Sequence, residues 1–260
     1  MTGATALGLF GLPAAVTWPL AVAVAAVLGS FLNVCISRLP RGESIVLPAS
    51  HCPGCRTPIE HYDNIPVVSF LLLGGKCRAC RAPISWRYPL VETLTMAVAA
   101  LILWRLGPTW DGARVFILGL LLIAVTFIDV EWLLIPDRIT LPGIVVGLAT
   151  QLYPLPRNVL SGAGACLLAG AIFYLVALAS RGGMGGGDVK LAAMIGAFLG
   201  WPLVVVAIFL GVLAGGLVGL LLLGLGLKGR KDPVPFGPFL ALGGLVTAVW
   251  GRGLLDWYLG

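Results

Sequence analysis

Residues 203–227 form an unbroken run of 25 without a charged side chain. A run of that length and apolarity fits a helix crossing a membrane, which needs about 20 mostly apolar residues. Eight such segments can be marked, near 15–36, 89–106, 113–130, 138–152, 158–180, 188–202, 203–227 and 236–252. Those at 138–152 and 188–202 are short. Their apolar residues run continuously rather than alternating, which speaks for helices and against a β-barrel. The chain is only 11% charged and 59% apolar, with a mean hydropathy of +1.01, whereas a soluble domain carries about 25% charged residues. Eleven acids and seventeen bases cannot coat a 27.1 kDa globule, so the outer surface faces hydrocarbon. The expected fold is an all-α polytopic membrane protein of about eight transmembrane helices. Disorder and a simple cytoplasmic enzyme are excluded. The first segment lacks a basic n-region and an A-x-A site before the next polar loop, and is read as a retained helix rather than a signal peptide.

Eight helices place the polar connections on alternating sides. Connections 38–87, 131–138, 181–190 and 228–231 hold 13 Lys and Arg, while the other set holds four: Arg105, Arg114, Arg157 and Arg252. By the positive-inside rule the first set is cytoplasmic and both termini lie outside. The net charge of +6 is thus a topology signal. No dense basic run interleaved with aromatics points to nucleic acid.

The 38–87 connection exceeds ordinary loop lengths and reads as a small cytoplasmic domain between the first and second membrane helices. The chain then divides into a first helix region (1–37), this loop domain (38–88) and a helix bundle (89–260). Within the loop lie two C-x-x-C pairs, Cys52-Pro-Gly-Cys55 and Cys77-Arg-Ala-Cys80, separated by about the spacing of a zinc ribbon. Each pair puts two thiolates on one tight turn, and four thiolates complete a tetrahedral zinc site. A loop this short has little core, so a metal crosslink would supply much of its folding energy. Disulfides or free thiols are the alternative, and a reducing cytoplasm disfavours disulfides. With four cysteine ligands no open position remains, so the zinc is structural. His51 and His61 are read as surface residues, Cys35 and Cys166 as packing residues.

Acids at membrane depth are costly and functional by default. Asp129 follows the apolar run Val115–Ile128, and Asp188 ends the tract Gly182-Gly183-Met184-Gly185-Gly186-Gly187. Glycine allows conformations and close approaches closed to other residues, which would let a substrate strand lie beside the carboxylate. Both acids fall on the same side of the membrane. Brought together, two carboxylates share one proton. The charged one activates a water and the protonated one polarises a peptide carbonyl, which is aspartyl protease chemistry. Ion-coupled transport also explains paired membrane acids. So does helix capping for Asp188, and capping is the preferred reading of Asp137. Glu131 is read as solvated or interfacial, and Lys190 as a membrane-edge anchor.

The ordered set of motifs resembles the type IV prepilin leader peptidase family, the bifunctional peptidase/N-methyltransferases of type IV pilus and type II secretion systems. The resemblance runs from about Gly29 to Leu242. It is carried by Gly29-Ser-Phe-Leu-Asn-Val-Cys-Ile-Ser-Arg-Leu-Pro40, the two cysteine pairs, Asp63-Asn-Ile-Pro66, Gly75-Lys-Cys-Arg-Ala-Cys80 and Ile84-Ser-Trp-Arg-Tyr-Pro-Leu-Val-Glu92. Ile128-Asp-Val-Glu-Trp-Leu-Leu-Ile-Pro-Asp137, Gly183-Met-Gly-Gly-Gly-Asp-Val-Lys-Leu191 and Phe236-Gly-Pro-Phe-Leu240 complete it. Gly186 fills the variable position of G-x-G-D.

The resemblance implies that Asp129 and Asp188 are catalytic. It implies cleavage of a short charged leader from prepilins or pseudopilins, after a glycine, at the cytoplasmic face of the bacterial inner membrane. It further implies N-methylation of the new N-terminal residue from S-adenosylmethionine, the cysteine loop marking the bifunctional members. No G-x-G-x-x-G follows a plausible strand in 38–87, so the methyl-donor pocket has no glycine-loop signature. Asn33, Arg38, Asp63, Asn64, Arg87 and Glu92 are polar residues of the matched motifs. They either line that pocket or fix the loop to the helices, and for each singly the structural role is preferred.

Overall fold

The computed structural model describes residues 13–153, 158–180, 183–229 and 232–260. Arg157, Arg181, Gly182, Arg230 and Lys231, used above in the charge count and glycine tract, lie outside the described residues. The described chain forms α1 (Ala14–Arg38), α2 (Val68–Leu72), α3 (Arg87–Leu106), α4 (Trp110–Trp132), α5 (Asp137–Thr150), α6 (Asn158–Ala179), α7 (Gly186–Leu199), α8 (Leu203–Gly224) and α9 (Gly237–Leu259). Each of the eight apolar segments is one of these helices. The remaining one, α2, is a single turn inside the cysteine loop. No β-strand occurs among the described residues, only two isolated bridges.

Six helices are long and apolar enough to cross a membrane: α1, α3, α4, α6, α8 and α9. Helices α5 and α7 have 14 residues each. At 1.5 Å per residue that is about 21 Å, short of a hydrocarbon core of about 30 Å. Among the described residues, six of the eight expected spans thus meet the length and composition of a membrane crossing, and α5 and α7 fall short of that length. The helix ends follow local chemistry. Gly107, at φ 67, closes α3, and the Thr109 hydroxyl then accepts the Gly112 N–H at 3.1 Å to start α4. Gly200, at φ 71, closes α7.

Contacts divide the chain into two compact units, the first ending at Phe116 and the second starting at Ile117. The first holds the cysteine loop and the pair α1/α3. These two helices touch where Gly29 leaves room: a Cβ there would lie 2.9 Å from the Glu92 Cα. The helix at 89–106 therefore packs with the N-terminal helix and the loop.

The second unit is built around α7. Leu191, Ala192, Met194, Ile195, Ala197 and Phe198 are all buried, because α5, α6, α8 and α9 pack around it. A helix enclosed in protein needs no lipid-facing length, which explains how so short an element sits in the centre. Small residues set the spacing. A Cβ on Gly196 would lie 2.5 Å from the Ala165 carbonyl oxygen of α6, and one on Gly147 of α5 would lie 2.8 Å from the Phe198 ring. The C-terminal carbonyls of α7 are met from α5: Gln151, 3% exposed, donates to Ala197 O at 3.2 Å and Phe198 O at 2.8 Å.

This packing separates two glycines of equal sequence appearance. Gly196→Ala forces a Cβ into backbone and is expected to destabilise by about 1–3 kcal/mol. Gly216 has open space around it, and Gly216→Ala is expected to change stability by less than about 0.5 kcal/mol. Thermal unfolding of the two variants in one detergent measures the difference.

Candidate active site and metal centre

The cysteine loop folds as two copies of one turn. Residues 51–58 and 76–83 each begin and end at an isolated bridge, His51 with Pro58 and Lys76 with Pro83. In each, the first cysteine donates its N–H to a carbonyl five residues on (Cys52 to Thr57 at 2.9 Å, Cys77 to Ala82 at 2.8 Å). The residue after the second cysteine returns a bond to the first, Arg56 to Cys52 at 2.8 Å and Arg81 to Cys77 at 3.0 Å. Arg56 and Arg81 both take positive φ, 59 and 61. The turns thus point all four thiols inward.

The sulfur atoms of Cys52, Cys55, Cys77 and Cys80 all lie within 4.8 Å of one another, and Cys52 Sγ is 3.7 Å from Cys80 Sγ. A tetrahedral zinc with Zn–S of about 2.3 Å needs sulfurs about 3.8 Å apart, so Cys52 and Cys80 already stand at that spacing and the set as a whole lies close to it. Its proton chemistry fits as well. Hydrogen bonding to the Thr57 side chain and backbone lowers the Cys55 thiol to about 6. The backbone N–H groups of Cys80 and Ala79 lower Cys77. Cys80, despite a backbone hydrogen bond from Ala82, is pushed up to about 11 by the other cysteines crowding it. A divalent cation among the four relieves that crowding.

In the second unit the C-terminus of α4 and the N-termini of α5, α7 and α9 converge. Asp129, in the last turn of α4, is 6% exposed. Its Oδ2 accepts the Gly237 N–H, from the first residue of α9, at 2.8 Å. A Cβ on Gly237 would lie 2.8 Å from that same oxygen, so only glycine brings its N–H this close. Asp188, in the first turn of α7, lies near enough to interact electrostatically with Asp129. The structure therefore brings together the two acids proposed as a pair from sequence.

The glycines around Asp188 act by close approach rather than by unusual backbone angles. Gly183, Gly185, Gly186 and Gly187 are absent from the positive-φ positions of the described chain. A Cβ on Gly187 would lie 2.8 Å from the Ile135 Cβ, which lets the first turn of α7 press against the α4–α5 connection. Gly186 meets nothing within 4 Å, which accounts physically for its being the variable position of the motif.

Two residues behave differently from the sequence reading. Asp137 makes no side-chain cap on α5, and Lys190 is no lone membrane-edge anchor. Lys190 Nζ donates to both Asp137 carboxylate oxygens, at 2.6 and 2.7 Å. The pair ties the first turn of α7 to the start of α5, just beyond Asp188. Gly237 was not foreseen as a site residue. Its only signal was membership of the Phe236-Gly-Pro-Phe-Leu240 motif, which carried no role.

The remaining polar candidates separate by their partners. Arg38 donates to the Ser44 and Pro48 carbonyls at 2.9 and 2.7 Å, and Arg78 forms a two-bond pair with Asp63 at 2.8 and 2.6 Å. The Arg78 guanidinium holds the Asp63 carboxyl below its usual range. The Asn64 amide oxygen accepts the Ser30 hydroxyl at 3.4 Å, and Arg87 lies over the Tyr88 ring. These fix the loop. His51 Nδ1 lies 3.2 Å from the Ala49 carbonyl, away from ligand duty. Asn33 and Glu92 are buried on the α1/α3 seam.

Comparison with known proteins agrees with this division. Residues 23–106 match the family model described as the bacterial peptidase A24 N-terminal domain, and residues 116–220 match that of the type IV leader peptidase family. A protein of Aeromonas hydrophila named prepilin leader peptidase/N-methyltransferase is 36% identical over 261 residues, covering 89% of this chain and 90% of its own. A Pseudomonas aeruginosa protein of that name is 36% identical over 260 residues with the same coverage. One from Burkholderia pseudomallei is 34% identical over 271 residues, covering 92% of this chain and 87% of its own. No solved structure matches the chain. At such identity over nearly the full length of both chains, this protein belongs to the type IV leader peptidase family, among its prepilin leader peptidase/N-methyltransferases.

Proposed function

We propose that the chain cleaves the leader of type IV prepilins or pseudopilins with Asp129 and Asp188 as the catalytic pair, and then N-methylates the new N-terminus. The observation that carries the peptidase half is the meeting of the two carboxylates at the converging helix ends. Two carboxylates drawn into contact around a substrate share one proton. The ionised carboxylate takes a proton from a water as that water attacks the scissile carbonyl carbon. The protonated carboxyl donates to the carbonyl oxygen, so the developing negative charge is met as it forms. The Gly237 N–H holds Asp129 in place throughout. Positive ends of the α5, α7 and α9 dipoles face the same region and favour the net negative charge of the pair. Ion-coupled transport, the other reading of paired membrane acids, has no support among the relatives.

The four cysteines hold a structural zinc, since four thiolates leave no position for water or substrate. S-adenosylmethionine, when bound, supplies an electrophilic methyl group. The N-terminal unit is the place for that second activity, because the peptidase match covers residues 116–220 only. The seven Lys and Arg of residues 38–87 support a cytoplasmic position for the cysteine loop, at the inner membrane of a bacterium.

Asp129→Asn and Asp188→Asn are each expected to lower cleavage of a prepilin-like peptide by at least about 1,000-fold, since neither amide can serve in the shared-proton pair. Normal cleavage by either variant, inserted and folded, removes the assignment. Gly237→Ala places a methyl against the Asp129 carboxylate. It is expected to cut kcat by about 10- to 100-fold with KM little changed, as read from steady-state kinetics. The metal reading predicts about one zinc per chain in protein purified under reducing conditions. Cys52→Ser should lower that content, and acidification toward pH 5 should release it as protons compete for the thiolates. Elemental analysis after dialysis decides this.

A further inference from the structure

Among the described residues the buried acids are Asp129 and Glu92, and the peptidase reading uses only the first. Glu92 lies in the second turn of α3, about 8 Å along the helix from its start, and is 7% exposed. A carboxylate in a membrane-spanning helix normally sits against a cation or serves a function. No ion pair among the described residues involves Glu92. Its Oε2 accepts the Val67 N–H at 2.7 Å. Val67 is held at φ 62, ψ −47, a conformation that a β-branched residue rarely takes. Strain of that kind persists only where the surroundings impose it, and it gathers at functional sites.

Asn33 shares the seam from the α1 side and is 1% exposed. Its Nδ2 donates to the Gly29 and Tyr88 carbonyls, at 3.4 and 3.1 Å. Gly29 is the residue that abuts Glu92, and Tyr88 lies one turn before Glu92 on α3. The Asn33 Oδ1, also buried, has no hydrogen-bond partner. Buried orphan acceptors are rare in folded proteins and call for a cause.

The unmet needs at this seam are of one kind: a buried carboxyl group without a cation, and an acceptor without a donor. A primary ammonium answers both, with three N–H donors. A sulfonium is a cation with no N–H to give. We propose that Glu92 and Asn33 receive the α-ammonium of a freshly trimmed peptide, the nucleophile of N-methylation. This deepens the methyltransferase half of the function above and rests on it. The location agrees: both residues lie within the matched stretch 23–106 and outside the peptidase match. An amine capping a substrate's own apolar helix also arrives at this level of the bilayer.

Val67 occupies one of about four acceptor positions on the carboxylate, so others serve the ligand. Glu92 takes one proton from the ammonium. The freed nitrogen lone pair forms the N–C bond to the methyl carbon of a sulfonium donor. The C–S bond breaks, its electron pair stays on sulfur as a neutral thioether, and the product is a secondary ammonium.

The test uses the full chain in detergent and two trimmed peptides of identical sequence, one with a free N-terminus and one N-acetylated. Equilibrium binding to the wild-type protein is expected to favour the free amine by at least 10-fold, and equal affinities overturn the proposal without any variant. Glu92→Gln keeps an acceptor for the Val67 N–H and removes the charge. It is expected to reduce the preference below three-fold and to lower methyl transfer from labelled S-adenosylmethionine at least 100-fold, with an unchanged unfolding midpoint. A Glu92→Gln protein that keeps a tenfold preference also overturns the proposal. If the wild type methylates yet binds both peptides equally, only the ammonium site is wrong. If the wild type methylates nothing, the N-methylation reading falls and takes this site with it.

Discussion

A carboxylate can be buried at a membrane's edge only if something meets its charge, and the second unit of this protein is organised around that requirement. Asp129 stands at the end of α4, where the helix's own dipole opposes a negative group. What compensates is α9, whose first N–H points at the carboxylate from 2.8 Å. That single bond requires α9 to begin at residue 237, with no Cβ there, and at the level where α4 ends. Asp188 makes a parallel demand on α7, whose first turn is fixed by Gly187 against Ile135 and by Lys190 on Asp137. The short central helix follows from these constraints. Its N-terminus must stop beside Asp129, and its C-terminus is closed by Gly200 and by Gln151 bonding to its last carbonyls.

Much of this was legible in the sequence because membrane helices announce themselves by apolar length, and each marked segment is a helix in the structure. The pairing of Asp129 with Asp188 was legible as well, since acids next to apolar runs are few. The short helices were harder. Apolarity alone does not distinguish a span facing lipid from a helix enclosed by protein, and α7 is the second kind. Asp137 and Lys190 were assigned local roles, a cap and an anchor, because sequence shows neighbours and their partners lie 53 residues apart. Gly237 was invisible as a site residue for a different reason. It contributes a backbone N–H and the absence of a side chain, and neither has a chemical signature in one sequence.

The cysteine loop shows the same boundary between pattern and geometry. Two C-x-x-C pairs gave the ligand set, and the loop's polar composition gave its exposure. The repetition of one turn 25 residues apart, with Arg56 and Arg81 both at positive φ, was not foreseen. The side chains alone hide it, since 51–58 and 76–83 agree in little beyond cysteine, arginine and proline. What they share is the backbone bond from each arginine to the first cysteine. Positive φ costs an L-residue about 1–2 kcal/mol, a strain that the bonds of the turn and a bound cation are placed to offset.

Two buried carboxylates, Asp129 and Glu92, thus sit in units of different character, and the contrast bears on what each can bind. Asp129 has a second acid near it and a helix N-terminus against it, so a backbone donor within the protein meets its charge. Such a site is already supplied with donors, and it suits a water and a neutral peptide carbonyl. Glu92 has a backbone donor and no counter-charge, and the same α1/α3 seam buries an amide oxygen with nothing to accept. Replacing that arrangement by apolar residues would be easier on stability, yet the fold spends Gly29, a strained Val67 and a buried Asn33 to keep it. A ligand that completes the charge is the physical reason for such a construction, and an amino terminus held at the bilayer's edge has the right charge and the right donors.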